Sequence, residues 1–416
     1  MHPRFLFLDL NSYFASVEQQ LKPDLRGEPV IVVPVMTDAT SAIAASYEAK
    51  AFGIKTGTNV GEAKRICPGL KLVLADHAQY VIFHHRIMAA VETVLPIHHV
   101  ASIDEFACEL MGDERQEAVA IQKAHAIKAA IRAQVGVHVR CSIGIAPNRY
   151  LAKVATDLQK PDGLVVIRQA ELPEPLMKLT PRDLPGIGRQ MERRLALAGV
   201  HSFADLWELA PKQMRALWGS VAGEQMYYRL RGVDIASPET TRGSVGHSHM
   251  LAPELRPVRE AHIVAQRLTL KAASRLRRIE HRAGAMDLSV RLGDFSRAAY
   301  RLNFPPASDN FQFLRALEIM WAQLMAERHP PIVRKVSVTL HHLYAEADVV
   351  PTLFDAPAAD PQNPKRLTTL SLAMDRLNAR FGRDTVVMGF TPNRARGFSG
   401  TKIAFTRVPE QAEFHE

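Results

Sequence analysis

Phe5-Leu-Phe-Leu-Asp-Leu-Asn-Ser-Tyr-Phe-Ala-Ser-Val-Glu18 is the stretch that decides the fold. Phe5 to Leu8 is a short apolar run of the kind that forms a buried strand, and it delivers Asp9 to the strand's end. Asn11 and Ser12 break the run, and Tyr13 to Glu18 has the pattern of the first turns of a helix. A carboxylate at the end of a buried strand is costly unless a cation meets it. Taken alone, an Asp after a strand is ordinarily a cap or turn residue. A second such place follows at Ser102-Ile-Asp-Glu-Phe106, where Asp104 and Glu105 interrupt another strand-like run. Three carboxylates on two core strands suit a pair of hard divalent cations, because Mg²⁺ takes oxygen ligands from one or two carboxylates plus substrate phosphates. Two-metal phosphoryl transfer needs that ligand set.

With 416 residues the chain exceeds a single core and calls for two to four domains. Its formal charge of +9 and pI near 9.5 favour a polyanionic partner. Cys67, Cys108 and Cys141 match no zinc spacing; a sparse, odd set implies a reducing compartment, and we expect a cytoplasmic protein. No run approaches the ~18 apolar residues of a membrane span, and no signal peptide is expected at the N-terminus.

Working outward, Pro29 to Pro34 reads as a strand, and Ser41 to Gly57 as a small-residue strand running into a helix. That helix carries Tyr47 and Lys50 on one face, where a hydroxyl and an ammonium can hold a phosphate chain. A helix over 77–95 leads to the strand pair with Asp104 and Glu105, then a helix over 118–135, a strand over 139–145 and a helix over 148–159. The turn Lys160-Pro-Asp-Gly163 precedes a strand over 164–167. Without the 20–75 insertion the order is βαββαβ with an extra helix-strand, a ferredoxin-like arrangement.

Residues 168–235 read as helical. Leu184-Pro-Gly-Ile-Gly188, followed by Arg189, stands before a helix over 190–198, a helix-hairpin-helix signature. Gly186 and Gly188 there let backbone N–H groups approach a DNA phosphate near a helix N-terminus. After a linker at 236–247, the order βαββαβ recurs over 248–345, with 15 Lys and Arg against 8 Asp and Glu, so most of the chain's excess charge lies there. Arg275, Arg277, Arg278, Arg291, Arg297 and Arg301 form its dense part, suited to tracking a duplex backbone. The remaining 346–416 contains Leu353 and Phe354 in a stretch poor in pattern, then a helix over 367–381 and an arginine-bearing tail.

These motifs together resemble the Y-family, the translesion DNA polymerases that include polymerases IV and V, over 1–345. Asp9-Leu-Asn-Ser-Tyr-Phe-Ala-Ser-Val-Glu and Ser102-Ile-Asp-Glu look like the family's two metal motifs. Ser46-Tyr-Glu-Ala-Lys-Ala-Phe-Gly53 looks like its fingers motif, Lys160-Pro-Asp-Gly like the palm lysine loop, and Ser244-Val-Gly246 like the start of its little finger. The resemblance implies an α+β multidomain fold. Its parts are a ferredoxin-like palm (1–19 and 76–168), small fingers (20–75), a helical thumb with the helix-hairpin-helix (169–235) and a βαββαβ little finger (248–345), followed by a C-terminal tail.

By position, Asp9 and Asp104 would bridge two Mg²⁺ ions, Glu105 would bind the catalytic one, and the Leu10 carbonyl would complete the other. Phe14, with Tyr13 beside it, would be a steric gate that clashes with a ribose 2′-OH. Tyr47, Lys50 and Lys160 would hold the triphosphate of an incoming dNTP. Gly186, Gly188, Arg189, Arg275, Arg278, Arg291, Arg297 and Arg301 would contact primer–template DNA. Leu353 and Phe354 would bind a sliding clamp, and the polymerase would act as a monomer in damage tolerance.

Three positions depart from the family's pattern. Lys50 replaces the usual Arg and trades a fork for a point charge, Ala44 replaces a hydroxyl residue, and Val350 stands where the clamp peptide has Gln. A catalytically silent polymerase-like adaptor is the alternative, although such relatives lack the metal carboxylates. A palm-type nucleotide cyclase is a third reading, and the second basic domain and hairpin thumb speak against it.

Overall fold

A computed structural model describes residues 2–236, 242–349, 363–382, 385–389 and 408–409. Those up to 236, with 408–409, belong to one compact unit, and those from 242 to 389 to another.

In the first unit β1 (Phe5–Leu10) and α1 (Tyr13–Leu21) are followed by β2 (Val30–Val33), β3 (Ala44–Ala45), α2 (Tyr47–Ala51), α3 (Val60–Ile66) and β4 (Lys71–Leu74). Then come α4 (His77–Glu92), β5 (His99–Val100), β6 (Glu105–Glu109), α5 (Glu117–Gln134), β7 (Cys141–Ala146), α6 (Arg149–Leu158) and β8 (Leu164–Val166). Four helices close the unit: α7 (Arg189–Leu197), α8 (Phe203–Glu208), α9 (Pro211–Trp218) and α10 (Val221–Leu230).

Every residue of β1 is buried. Strand alternation sends Leu6, Leu8 and Leu10 into the core beneath α4 and α5. Phe5 and Phe7 go to the opposite face, under α6 and the four closing helices. Asp9 shares that second face by the same period of two. The sheet order is β5-β6-β1-β7-β8, with β1 antiparallel to both neighbours and β8 parallel to β7. Strands β1, β5, β6 and β7 thus form the expected ferredoxin-like set, and α6 with β8 is the extra helix-strand. A separate sheet, β3-β2-β4, occupies the insertion between α1 and α4.

The second unit contains β9 (Ser244–Met250), α11 (Val258–Arg278), β10 (His281–Leu292), β11 (Arg297–Ala307), α12 (Asn310–Arg328), β12 (Val333–Ala345) and α13 (Pro364–Phe381). Its element order repeats βαββαβ, but its sheet order, β11-β10-β12-β9, puts the first strand at an edge, whereas β1 is central in its own sheet. Strand β9 begins at Ser244, so the last four residues of the expected linker are sheet. Met286, Leu288 and Val290 face α11 and α12 in the core. Asp287, Ser289 and Arg291 therefore face away from the helices.

The six arginines of this domain's dense part divide between two layers. Arg291, Arg297 and Arg301 lie on the helix-free face of the sheet, with Arg291 opposite Arg297 and Arg301 opposite Asp287. Arg275, Arg277 and Arg278 lie on α11, in the helix layer on the other side. Arg277 is buried and holds Asp375 of α13 through Nε at 2.7 Å and Nη2 at 2.9 Å. Its remaining donor reaches the Ser308 carbonyl and Asn310 Oδ1. Helix α13 starts at Pro364 rather than Leu367, because Asn363 caps it by accepting from the Lys365 amide and proline suits the first helical position. Its buried Ser371 hydroxyl accepts the Asn310 amide. The expected clamp residues Leu353 and Phe354, with Val350, lie outside the described residues.

Candidate active site

Strand register brings the carboxylates together. Asp9 on β1 is paired with Glu105 on β6. Asp104 is the residue before β6 rather than a strand residue, and its carbonyl accepts the Leu10 amide at 2.9 Å. The three side chains therefore share one corner of the sheet, across 95 or more residues of sequence.

What they meet there is a pair of lysines. Lys153, on α6, puts its Nζ 2.5 Å from Asp9 Oδ2, 3.0 Å from Glu105 Oε1 and 3.2 Å from Asp157 Oδ2. Lys160 Nζ lies 2.7 Å from Asp9 Oδ1 and 2.7 Å from Asp157 Oδ1. Asp104 accepts a 2.5 Å hydrogen bond from the Ser102 hydroxyl. Among the described residues no three acidic, histidine or cysteine side chains close into a metal-sized cage. Both oxygens of Asp9 are instead engaged by ammonium groups.

The electrostatics follow from burial and these partners. Burial pushes against the Asp9 charge, but Lys153 and Lys160 outweigh it and hold its carboxyl below the usual range. Burial raises Asp104, with the Asp9 charge adding to it against the Ser102 hydrogen bond. Burial likewise raises Glu105 despite Lys153. Lys153 is held well above the usual lysine range by its three carboxylates, against its own burial. A corner with carboxylates raised by burial, and with cations already seated on Asp9, is short of positive charge. An all-oxygen donor set of this kind fits hard divalent ions.

Sequence reasoning did not single out Lys153 or Asp157. The available signal was the i, i+4 spacing of Lys153 and Asp157, on the side of α6 opposite its buried Leu151, Ala152 and Ala155. Gly144 on β7 lets that helix come close: a Cβ there would lie 2.0 Å from the Ala152 carbonyl oxygen.

On the other side of Asp9, Ser12 has φ 49° and turns the chain from β1 into α1. Its hydroxyl accepts Lys50 Nζ at 2.7 Å, and the same ammonium stands 4.3 Å from the centre of the Tyr47 ring. Ser46 caps α2, accepting the Ala49 amide at 3.2 Å. Burial and the Lys160 charge hold Lys50 below the usual lysine range. Tyr47, Lys50 and Lys160 are thus brought to one cluster beside Asp9.

Phe14 is half-buried and stacks on Tyr80 with ring centroids 4.3 Å apart. Tyr80 is fixed in turn by its hydroxyl, which donates to the fully buried Glu18 at 2.7 Å; Lys22 holds the other Glu18 oxygen. Tyr13 is not a second gate residue. It is 3 % exposed and points into the core, where its hydroxyl donates to the Tyr80 carbonyl at 2.6 Å.

In the hairpin before α7, Gly186 has φ +91°, a conformation that favours glycine. A Cβ added at Gly186 or Gly188 would meet nothing within 4 Å, so this face of the backbone is open. Arg189 is exposed at the start of α7. The three cysteines are buried, and burial pushes the Cys108 and Cys141 thiols up to about 12, which makes them inert packing groups. Among the described residues no helix is long and apolar enough to cross a membrane.

Comparison with known proteins agrees along the chain. The impB/mucB/samB family pattern matches residues 8–157, its C-terminal domain matches 242–352, and the thumb domain of DNA polymerase-iota matches 182–234. The chain is 32% identical over 394 residues to the DNA polymerase IV of Pelotomaculum thermopropionicum, covering 92% of this chain and 94% of that one. It is 32% identical over 411 residues to the DNA polymerase IV of Moorella thermoacetica, covering 96% and 97%. Among solved structures, a Y-family DNA polymerase chimera of Dbh and Dpo4 has the same fold, with a TM-score of 0.71 at 24% identity, over 82% of this chain and 99% of that one. With the carboxylate corner, the hairpin and both sheets in the order described, the chain belongs to the Y-family of translesion DNA polymerases.

Proposed function

We propose that the corner formed by Asp9, Asp104, Glu105 and the Leu10 carbonyl holds two Mg²⁺ ions and is the catalytic centre of this DNA polymerase. The observation that carries the reading is the Asp9–Glu105 register, with Asp104 adjoining it and cations already drawn to it. Bound there, the ions would supply Lewis-acid activation for the primer 3′-oxygen and positive charge for the pyrophosphate. The side chains do the rest. Lys50, Lys160 and Tyr47 would take the triphosphate of the dNTP and fix its orientation, as preorganised cations do for developing phosphate charge. Phe14, braced by Tyr80, would exclude a ribose 2′-OH.

In this reading 1–19 with 76–168 are palm, 20–75 fingers, 169–235 thumb and 248–345 little finger. Gly186, Gly188 and Arg189 would meet phosphates on the thumb side. Arg291 and Arg297 would do so on the helix-free sheet face, where Arg291 stands between Arg297 and Lys335 in one row. Leu353 and Phe354 would bind a sliding clamp, and the enzyme would work as a cytoplasmic monomer.

Asp104→Asn tests the centre. We expect Mg²⁺-dependent primer extension to fall on the order of 10³-fold while primer–template binding persists. Undiminished extension would refute the assignment.

A further inference from the structure

Lys153 has no place in the nucleotide-binding set, yet it makes more contacts with the catalytic corner than any side chain in that set. It is the one described residue that bridges Asp9 and Glu105, at 2.5 and 3.0 Å. An ammonium in that position uses the lone pairs through which two carboxylates of different strands would take up a divalent ion. A hard cation at a carboxylate and an ammonium on the same oxygens repel one another, and in a buried corner the repulsion is poorly screened. The two compete for these oxygens.

The structure also provides somewhere for the side chain to go. Asp157, one turn along α6, is already 3.2 Å from Lys153 Nζ and remains as its partner after Asp9 and Glu105 are given up. Lys153 also lines a cavity of about 450 Å³ together with Phe5, Phe7, Arg149 and Tyr150, so it is not packed in on every side.

We propose that Lys153 is a built-in counter-ion that occupies the metal face of Asp9 and Glu105 and is displaced when divalent ions load. It is a positioning residue. It keeps the carboxylates together in the metal-free enzyme and sets how tightly the ions bind. This inference rests on the assignment of Asp9, Asp104 and Glu105 as the metal site.

The test measures Mn²⁺ binding to the full chain by electron paramagnetic resonance, without DNA or nucleotide, for wild type, Lys153→Met, Lys153→Arg and Asp9→Asn. Met keeps the length and loses the charge, so Lys153→Met binds Mn²⁺ about tenfold more tightly. Lys153→Arg keeps the charge and stays close to wild type, and Asp9→Asn loses the site. Unchanged or weaker binding in Lys153→Met, with binding lost in Asp9→Asn, overturns the counter-ion and leaves the metal site standing. Full binding retained in Asp9→Asn overturns both. Should Met at 153 unfold the metal-free protein, Lys153→Gln retains a hydrogen-bond donor for Asp9 and carries the same expectation. Its thermal midpoint then rises more steeply with Mn²⁺ than that of wild type, and an equal or shallower rise overturns the proposal.

Discussion

At the residue scale the proposed catalytic corner sets opposing effects side by side: burial disfavours the charges of Asp104 and Glu105, while Lys153 and Lys160 favour that of Asp9. Asp104 and Glu105 have pKa values raised by burial, so the folded state holds their protons more tightly than the unfolded chain does. Their contribution to stability is present below the unfolded pKa and is lost as pH rises through the raised folded pKa. Asp9, held low by its lysines, contributes in the opposite sense: its share is present above its unfolded pKa and is lost as pH falls through the depressed one. Asp104→Asn is therefore expected to raise the thermal midpoint in EDTA at neutral pH. The gain over wild type should shrink as the pH is lowered into the carboxylate range. A midpoint equal to or below wild type at pH 7 would count against the burial argument. The aromatic pair separates gate from support. Phe14→Ala raises the ratio of ribo- to deoxynucleotide incorporation. Tyr13→Phe leaves that ratio alone and costs about 1 kcal/mol of stability through the lost bond to the Tyr80 carbonyl, as single-nucleotide kinetics and urea unfolding would report.

At the scale of elements, α6 is held against β7 by a position where no side chain fits. A Cβ at Gly144 would lie 2.0 Å from the Ala152 oxygen and 2.9 Å from the Thr156 amide nitrogen, both on α6. Gly144→Val pushes away the helix that carries Lys153 and Asp157. Expected are a loss of about 1–3 kcal/mol from overpacking and a fall in kcat of roughly 10²-fold from misplaced groups. Wild-type kinetics in a folded Gly144→Val protein would show that α6 does not need that approach. Helix α13 makes the same kind of statement about the second unit. Arg277 has a side chain only 3% exposed, and Asp375 is its ionic partner. Removing the partner strands a buried guanidinium, so Asp375→Asn costs about 3 kcal/mol, read as a lower urea midpoint for the second unit.

At the scale of the whole molecule, charge is concentrated but not continuous. The arginines of the second unit divide between a bare sheet face and a helix layer. Neutralising Arg291 and Arg297 together is expected to lower the slope of log Kd against log salt for duplex binding by about 2, one for each phosphate contact. Arg278→Gln, on the helix side, is expected to leave that slope unchanged. An unchanged slope after neutralising Arg291 and Arg297 would mean that DNA does not use the sheet.

Local chemistry alone specified much of this protein. The apolar run into Asp9, the Asp104-Glu105 break, the Leu-Pro-Gly-Ile-Gly hairpin and both βαββαβ orders are written in short periodicities, because strands and helices impose periods of 2 and 3.6 on their own neighbours. Only the tertiary structure decided which side chains share a charge. Lys153 meets Asp9 across 144 positions, and Arg277 meets Asp375 across 98. In the sequence each lysine and arginine is simply a polar residue on a helix. The sheet order, which differs between two units that share a βαββαβ order, was equally invisible. Strand pairing is settled by long-range packing and hydrogen bonding between segments, and those have no local period to read.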